Sequence, residues 1–300
     1  MRIVVAGGSG FLGRPLCDTL AAAGHEITVL TRGPDRARGP IRDRHWTPNG
    51  QPGPWAAAVD HADAVINLAG EPLTAHRWSA ARKRRLVTSR LLATDSLVAA
   101  IDAAPTPPAV LLSSSAVGYY GAHGDEEVTE ETGPGSGFAA RLCVGWERAA
   151  ERAAGAGTRV TCLRTGLVLG RDGGALVQMA LPFRLYIGGP IGSGRQYMPW
   201  IHLADWVRLV VWMIDTPAAT GPINGTAPTP VTNAAFCAAL GRALGRPSWL
   251  RAPAFAVRLA LGEMATIALD GQRALPARAL ALGFTFRYRR LDEALTEIYG

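Results

Sequence analysis

Small residues are concentrated directly after the first hydrophobic segment of the chain. Gly7, Gly10 and Gly13 form a GxxGxxG pattern, and Gly8 with the last two also satisfies GxGxxG. The loop follows a predicted strand over 2–6 and opens a predicted helix, which is the context that dinucleotide binding requires. Glycines there permit a tight turn and let backbone N–H groups approach a pyrophosphate. We predict a dinucleotide site rather than a structural turn, with these contact residues: Gly7, Gly8, Ser9, Gly10, Phe11, Leu12 and Gly13.

The residue at the end of the second predicted strand distinguishes NAD from NADP. That strand, over 26–32, ends in Thr31 and Arg32 and carries no acid at its end. A carboxylate there would bind the ribose 2′-hydroxyl, whereas a guanidinium pairs with a 2′-phosphate. We therefore expect NADP(H) to be the cofactor, with Arg32 on its phosphate. The alternative is a solvated arginine at the start of a loop.

Two later predicted strands end in residues that would meet at one edge of a sheet. Leu68, Ala69 and Gly70 close the strand over 62–70, and Ser113 and Ser115 lie near the end of the strand over 109–116. Ligands of parallel sheets bind at the carboxyl ends of the strands. We expect Leu68, Ala69, Gly70 and Ser113 to contact the cofactor. Ser115 is a candidate to hydrogen-bond a substrate carbonyl or hydroxyl, or else it caps the strand.

The elements that must position these residues alternate between strand and helix. Further helices are predicted over 80–104 and 138–155 and a further strand over 158–166, so the fold class is α/β, a Rossmann-type doubly wound parallel sheet. We assign 1–170 to the NADP-binding domain, with its sheet completed within about 200–228, where Trp206–Asp215 could rejoin it. Residues 171–199 and 229–300 are assigned to a small C-terminal, substrate-side lobe with three helical stretches and a strand over 284–288.

Composition excludes several classes of function. Hydrophobic residues make up 48% of the 300 residues and charged residues 18%, which is typical of a folded globular protein. The net charge of +7 is scattered apart from Arg82–Arg85, so we expect no nucleic-acid partner. No apolar run is long enough for a membrane span and the first strand begins at Arg2, so we expect no membrane partner and a cytoplasmic protein. The four cysteines lack metal or disulfide spacing, so we predict no metal. A small-molecule substrate is expected, and a homodimer is left open.

Several short motifs resemble those of a known family. The glycine loop, NLAG (67–70), SSSA (113–116) and YYG (119–121) resemble extended short-chain dehydrogenase/reductases, which are related to the NAD-dependent epimerases and dehydratases. Other segments, such as GSGRQYMPWIH (192–202) and the GFTFRY tail, resemble an atypical epimerase-like subfamily with its own C-terminal domain, and this likeness covers essentially the whole chain. The resemblance implies a fold more than an activity.

The catalytic pair of that family is missing. The family uses a Tyr-x-x-x-Lys pair, but the single lysine of this chain is Lys83 and the residue four positions before it is Ser79. Placing the family's helix by its Trp-Glu dipeptide puts Ala139 at the tyrosine position and Cys143 at the lysine position, so Cys143 is expected beside the cofactor. Aligning the segment TSRLLAT (88–94) with the family in the same way puts Arg90 at a position where the family usually has an asparagine.

Catalysis must therefore use other groups, and each has a structural alternative. Besides Ser115, Arg90 could clamp an anionic group or form an ion pair, and Tyr120 or its neighbour Tyr119 could donate a proton or simply pack. Glu71 could reach the nicotinamide side or be solvated. We expect an NADP(H)-dependent oxidoreductase or epimerase-like enzyme acting on an unidentified small molecule. The alternative is a non-redox NADP(H)-binding sensor or scaffold.

Overall fold

The computed structural model describes all residues from 1 to 300 and contains fourteen strands and ten α-helices. In chain order the strands are β1 (Arg2–Ala6), β2 (Glu26–Thr31), β3 (Arg36–Arg38), β4 (Ile41–His45), β5 (Ala64–Asn67), β6 (Val110–Ala116), β7 (Glu127–Val128), β8 (Arg159–Thr165), β9 (Leu167–Leu169), β10 (Tyr197–Met198), β11 (Trp200–His202), β12 (Gly221–Gly225), β13 (Val231–Thr232) and β14 (Arg273–Ala274). The helices are α1 (Gly13–Ala22), α2 (Ala80–Asp102), α3 (Phe138–Glu151), α4 (Gly174–Arg184), α5 (Leu203–Asp215), α6 (Asn233–Leu244), α7 (Ala254–Leu261), α8 (Thr266–Leu269), α9 (Ala277–Ala281) and α10 (Leu291–Tyr299).

Eight strands form the central sheet, in the order β12-β8-β6-β5-β1-β2-β4-β3. All neighbours pair in parallel except β3, which is antiparallel to β4. The chain builds outward from β1 through β2 and β4, and then returns to β5 on the other side of β1. The strand order therefore reverses between β1 and β5, and a ligand crevice is expected where these two strands end.

Helices cover both faces of this sheet, which confirms the predicted doubly wound α/β class. Side chains alternate along β1, so Ile3 and Val5 pack in one core with α1 and α5. Val4 and Ala6 face the opposite core, which includes α2 residues and the tryptophans Trp46 and Trp55. The sheet is thus buried on both sides, as its apolar strands require.

The Pro/Gly-rich stretch from Gly33 to Pro54 contains β3 and β4, which extend the sheet beyond β2. One prediction about the sheet was wrong. Trp206–Asp215 does not rejoin the sheet, because it lies in α5, whose apolar face packs on the main core. The sheet is completed by β12 instead, within the predicted range of 200–228.

The strand predicted over 284–288 is also wrong. The aromatic residues of this segment serve the main core: Phe284 and Phe286 pack there, and Phe284 lies beside Trp212. The following backbone N–H groups, of Arg287 and Tyr288, donate to the buried carboxylate of Asp205 at 2.9 and 2.7 Å. A side-chain acceptor thus replaces the ladder that a strand would need.

A separate hydrophobic cluster joins α4, α6 and α10. The tail of the chain contains five helices, α6–α10, rather than three helical stretches. No helix has the length and hydropathy needed to span a bilayer.

Candidate cofactor and substrate site

The glycine loop is closely packed on the side that faces the rest of the protein and open on its outer side. Gly7 has φ +84°, and a Cβ atom there would lie 2.8 Å from the carbonyl of Leu68. A Cβ atom on Gly13 would lie 2.4 Å from the Gly7 carbonyl oxygen. Gly10 differs, because it is exposed and a Cβ atom there would meet only the Gly7 oxygen, at 3.4 Å. Gly7 fits the loop against the residues after β5, Gly13 fits the start of α1 against the loop, and Gly10 leaves the outer surface of the loop free for a ligand.

The start of α1 faces the same opening. No side chain caps this helix end, and its first turn contains no acid. Uncapped N–H groups and the helix dipole attract an anion. Ser9 is exposed there, while Phe11 packs against Gly173 and Gly174 at the start of α4. The segment after β9 therefore lies against the glycine loop.

Arg32 is exposed directly after β2. The nearest acid along the chain is Asp35, but its carboxylate accepts hydrogen bonds from the His45 backbone N–H at 2.6 Å and from Arg44 at 2.8 Å. These hydrogen bonds lower the pKa of the Asp35 carboxyl. The only acid close to Arg32 in sequence is thus already neutralised by other partners.

The turn after β5 closes the crevice on its other side. Asn67 is buried, and its Oδ1 accepts the Ala69 backbone N–H at 3.1 Å. Leu68 and Ala69 are half-buried, and Gly70 is exposed. Ser113 is fully buried, with its hydroxyl 3.5 Å from the Asn67 amide nitrogen. This set of predicted cofactor contacts therefore lies together, with Ser113 beneath the surface that the others form.

Ser115 takes part in a buried polar network at the end of β6. Its hydroxyl donates to Glu147 Oε1 on α3 at 2.5 Å. Both oxygens of Glu147 accept hydrogen bonds from Arg164 on β8, at 2.9 and 2.8 Å. Since the serine proton is directed to the carboxylate, the serine oxygen keeps its acceptor capacity. The arrangement can orient a hydroxyl group that donates to Ser115.

Sequence reasoning missed the roles of Glu147 and Arg164. In the sequence, Glu147 was used only to set the register of a helix. Arg164 was one of the chain's many arginines and lay on a predicted strand. A charged residue in the middle of a buried parallel strand was the available signal, because such a residue needs a buried partner.

Tyr120 is fully buried and lies away from open space. Its hydroxyl donates to Asn224 Oδ1 at 2.7 Å and accepts from Arg164 at 3.0 Å. Burial raises the pKa of Tyr120 to about 12. The Tyr119 ring is stacked 3.4 Å from the Arg164 guanidinium carbon. Both tyrosines thus occupy the packing role that was the alternative to proton donation.

Arg90 and Cys143 are buried next to each other between α2 and α3. The Arg90 guanidinium donates to the backbone oxygens of Leu86 and Glu71, at 3.1 and 3.0 Å, and lies over the Trp146 ring. It has no carboxylate partner among its hydrogen bonds, and its Nε is buried without a partner. Burial lowers the pKa of Arg90 to about 10 and raises that of Cys143 to about 11. A fixed cation thus lies beneath the Gly70 turn.

Glu71 is engaged in surface ion pairs. Its carboxylate binds Arg82 and also Arg85, the latter at 2.8 Å. The hydrogen bond from Arg85 lowers the pKa of Glu71. A cavity of about 490 Å³ opens beside this pair and is also lined by Pro48 and Ser89. Glu71 therefore borders this cavity as a paired group, and the cavity is not lined by the glycine loop.

No group of three or more potential metal ligands is present, and all four cysteines are free and buried. The arrangement consists of a dinucleotide cradle, a buried serine-carboxylate-arginine network and an isolated buried cation.

Comparisons with known proteins agree with this geometry. Residues 3–224 match the NAD dependent epimerase/dehydratase family, and residues 252–298 match a domain of unknown function, DUF1731. The epimerase family protein Mb2239 of Mycobacterium bovis is 43% identical, over 98% of this chain and 96% of its own length. A chloroplastic homologue of epimerase family protein SDR39U1 from Arabidopsis thaliana is 41% identical, over 99% of this chain and 86% of its own length.

A solved structure is similar over the full chain. The crystal structure of human epimerase family protein SDR39U1 with NADPH superimposes with a TM-score of 0.90 and 37% identity. The match covers 100% of this chain and 99% of the human one. The family resemblance read from the sequence motifs is thereby confirmed.

Proposed function

The chain belongs to the NAD-dependent epimerase/dehydratase family, and we propose that it is an NADP(H)-dependent oxidoreductase of epimerase-like type that acts on a small molecule carrying a hydroxyl group. The observation that carries the proposal is the Ser115 hydroxyl network beside the glycine cradle. A cofactor site and an oriented acceptor lie at neighbouring strand ends.

The residues of the cradle fit a dinucleotide. The open side of Gly10 leaves room for a pyrophosphate, and the uncapped start of α1 favours its charge. Leu68, Ala69 and Gly70 form the opposite wall. The human relative crystallised with NADPH has the same fold over the whole chain, which supports the same cofactor here.

Arg32 selects the phosphorylated cofactor in this proposal. Its guanidinium is exposed at the end of β2, where a 2′-phosphate is recognised in this fold. Asp35 does not oppose the phosphate, because Arg44 and the His45 N–H hold its carboxylate. A charge-assisted pair with Arg32 then favours NADP(H) over NAD(H).

The kind of substrate group that the site can hold depends on which hydrogen-bonding atoms of Ser115 are free to contact it. When bound, the nicotinamide supplies hydride transfer. The Ser115 hydroxyl donates its hydrogen bond to Glu147, so the serine oxygen is left to accept a hydrogen bond from a substrate hydroxyl. Arg164 holds Glu147 by two parallel hydrogen bonds, which keeps the serine proton directed away from the substrate. The site therefore favours an alcohol over a carbonyl as the group held at Ser115.

Arg90 supplies positive charge in place of the missing lysine. It is buried beside Cys143, which stands at the expected lysine position. The cation is fixed by two backbone oxygens and the Trp146 ring, so it orients neighbouring polar groups without moving. It is a positioning residue and cannot act as a base at neutral pH.

Reduction of NADP⁺ in the presence of a panel of sugars, nucleotide sugars and simple alcohols tests the proposal. We expect at least one compound to be oxidised, and Ser115→Ala to lower kcat/KM by about a hundredfold with NADPH affinity unchanged. Ser114→Ala is the matched control, because Ser114 precedes Ser115 on β6 and therefore faces the other side of the sheet. If NADPH binds tightly but no compound reacts, the sensor or scaffold alternative replaces this proposal.

A further inference from the structure

A group of large apolar side chains is exposed at one surface, away from the glycine loop. These side chains are between 45% and 77% exposed and come from the end of α4, the loop after it, the segment before α7, and α7 itself: Leu181, Leu185, Tyr186, Ile187, Trp249, Leu250, Phe255 and Leu259. We call this set the apolar face. Single exposed apolar residues are ordinary, but a continuous group marks an interaction site.

Backbone contacts show that the face is continuous. The Trp249 indole donates to the Tyr186 carbonyl oxygen at 3.0 Å, and the Trp249 backbone N–H donates to that of Gly188 at 3.1 Å. A bridge between Ile191 and Ala252 then leads directly into α7. This helix has no buried residue, so Phe255 and Leu259 project from an element that the core does not cover.

The charge of this surface has one sign. Arg184, Arg251 and Arg258 are exposed among the apolar residues, and the Arg246 guanidinium lies 4.7 Å from the centre of the Tyr186 ring. Residues 173–204 and 216–262 contain neither aspartate nor glutamate. Burial raises the pKa of the half-buried Asp270 carboxyl, and the nearby Arg258 guanidinium lowers it without forming an ion pair. The apolar face is therefore framed by arginines that outnumber this one nearby carboxylate.

We propose that the apolar face binds an anionic lipid surface. Leucine and phenylalanine side chains would enter the acyl boundary, tryptophan and tyrosine would lie at the headgroup level, and the arginines would pair with lipid phosphates. The expectation of no membrane partner rested on the lack of a spanning segment, and peripheral binding does not need one.

Charge complementarity favours lipid over a second copy of the chain. A twofold dimer would place the same patch against itself. Arginines would then face arginines across an interface with an excess of positive charge, and such contacts oppose association. An anionic surface satisfies both the apolar and the charged parts of the face.

Flotation of the full-length protein with lipid vesicles tests this inference. Vesicles of phosphatidylcholine alone are compared with vesicles containing an equal part of phosphatidylglycerol. We expect binding to the anionic vesicles, at least tenfold weaker in Phe255→Ser/Leu259→Ser because apolar burial is lost. Arg184→Glu/Arg251→Glu should weaken it by at least about fivefold for each arginine. Leu280→Ser/Leu282→Ser is the matched control, since these exposed leucines lie in and after α9, outside the face.

Folding and association are followed in the same samples. NADPH affinity and thermal unfolding should be unchanged in all variants, because none of the changed residues is buried. Equal binding to both vesicle types, or wild-type binding by the α7 variant, would overturn the proposal. A dimer in solution that the α7 variant dissociates, with no vesicle binding by wild type, would identify a second copy as the occupant instead.

Discussion

At the scale of single residues, Arg90 and Cys143 lie side by side, and the buried cation of this pair comes from α2. The helix register predicted from the sequence places the family's lysine at Cys143, on α3. Arg90 is buried without a carboxylate partner, which is costly unless other groups compensate. Two backbone oxygens and the Trp146 ring provide that compensation. The space beside it therefore cannot hold a second cation.

Introducing the family's lysine should thus destabilise the protein. We expect Cys143→Lys to lower the free energy of unfolding by about 3 kcal/mol, because two cations would be buried together. Methionine is similar in size to lysine but carries no charge, so Cys143→Met should lower the free energy of unfolding much less. Adding Arg90→Asn to the lysine variant should restore stability, since one buried cation then remains. Denaturant unfolding of the four proteins gives the answer, and no rescue by Arg90→Asn would show that the two positions do not share one charge.

The roles of residues in local sequence motifs could be predicted, whereas hydrogen-bond partners that lie far apart in the sequence could not. The glycine loop and the position of Arg32 after β2 follow from local spacing in the sequence, whereas the role expected of Cys143 rests on the family resemblance. The bond of Glu147 to Arg164 joins α3 to β8, and that of Tyr120 to Asn224 spans 104 positions. No local pattern specifies such partners, because they depend on which elements pack together.

At the scale of elements, α5 illustrates why a strand was predicted wrongly. Its sequence from Trp206 to Asp215 is rich in β-branched and aromatic residues, which favour strands. Packing decides otherwise, because one side of the helix enters the main core. Its start is set by His202, whose Nδ1 accepts the Ala204 backbone N–H at 3.1 Å, and Asp205 lies in the first turn.

The His202 cap predicts a pH dependence of stability. Burial lowers the pKa of His202 below its usual 6.5, more than the ion pair with Glu297 raises it. The unfolded chain therefore binds a proton more readily than the folded one. Stability is complete above about pH 6.5 and should be lost as the pH falls from there through the lower folded pKa.

His202→Asn should remove this dependence, because an asparagine oxygen can still cap α5 but does not titrate. The check is thermal unfolding between pH 5 and 7.5, with His61→Asn as a control at an exposed histidine. An equally steep loss of stability in the His202 variant would show that other groups control it.

At the scale of the whole molecule, the region of α2 is linked to the C-terminal part of the chain. Lys83 on α2 pairs with Glu263 at 2.6 Å, and Trp78 packs with Met264 in a small cluster. The tail also supplies Phe284 and Phe286 to the main core. The α/β class could be predicted from alternating strands and helices. These long-range links could not, since Lys83 and Glu263 are 180 positions apart in the sequence.

The central claim is that this crevice is an NADP(H) site, and titration of purified protein with NADPH and NADH tests it most directly. We expect wild type to bind NADPH at least tenfold more tightly than NADH. Arg32→Asp should lose that preference, since one charge-assisted bond is worth roughly 1.5–3 kcal/mol. Gly10→Val should lose both cofactors while remaining folded, because its side chain would fill the open side of the cradle. Unchanged NADPH affinity in Arg32→Asp, or micromolar binding by Gly10→Val, would contradict the account.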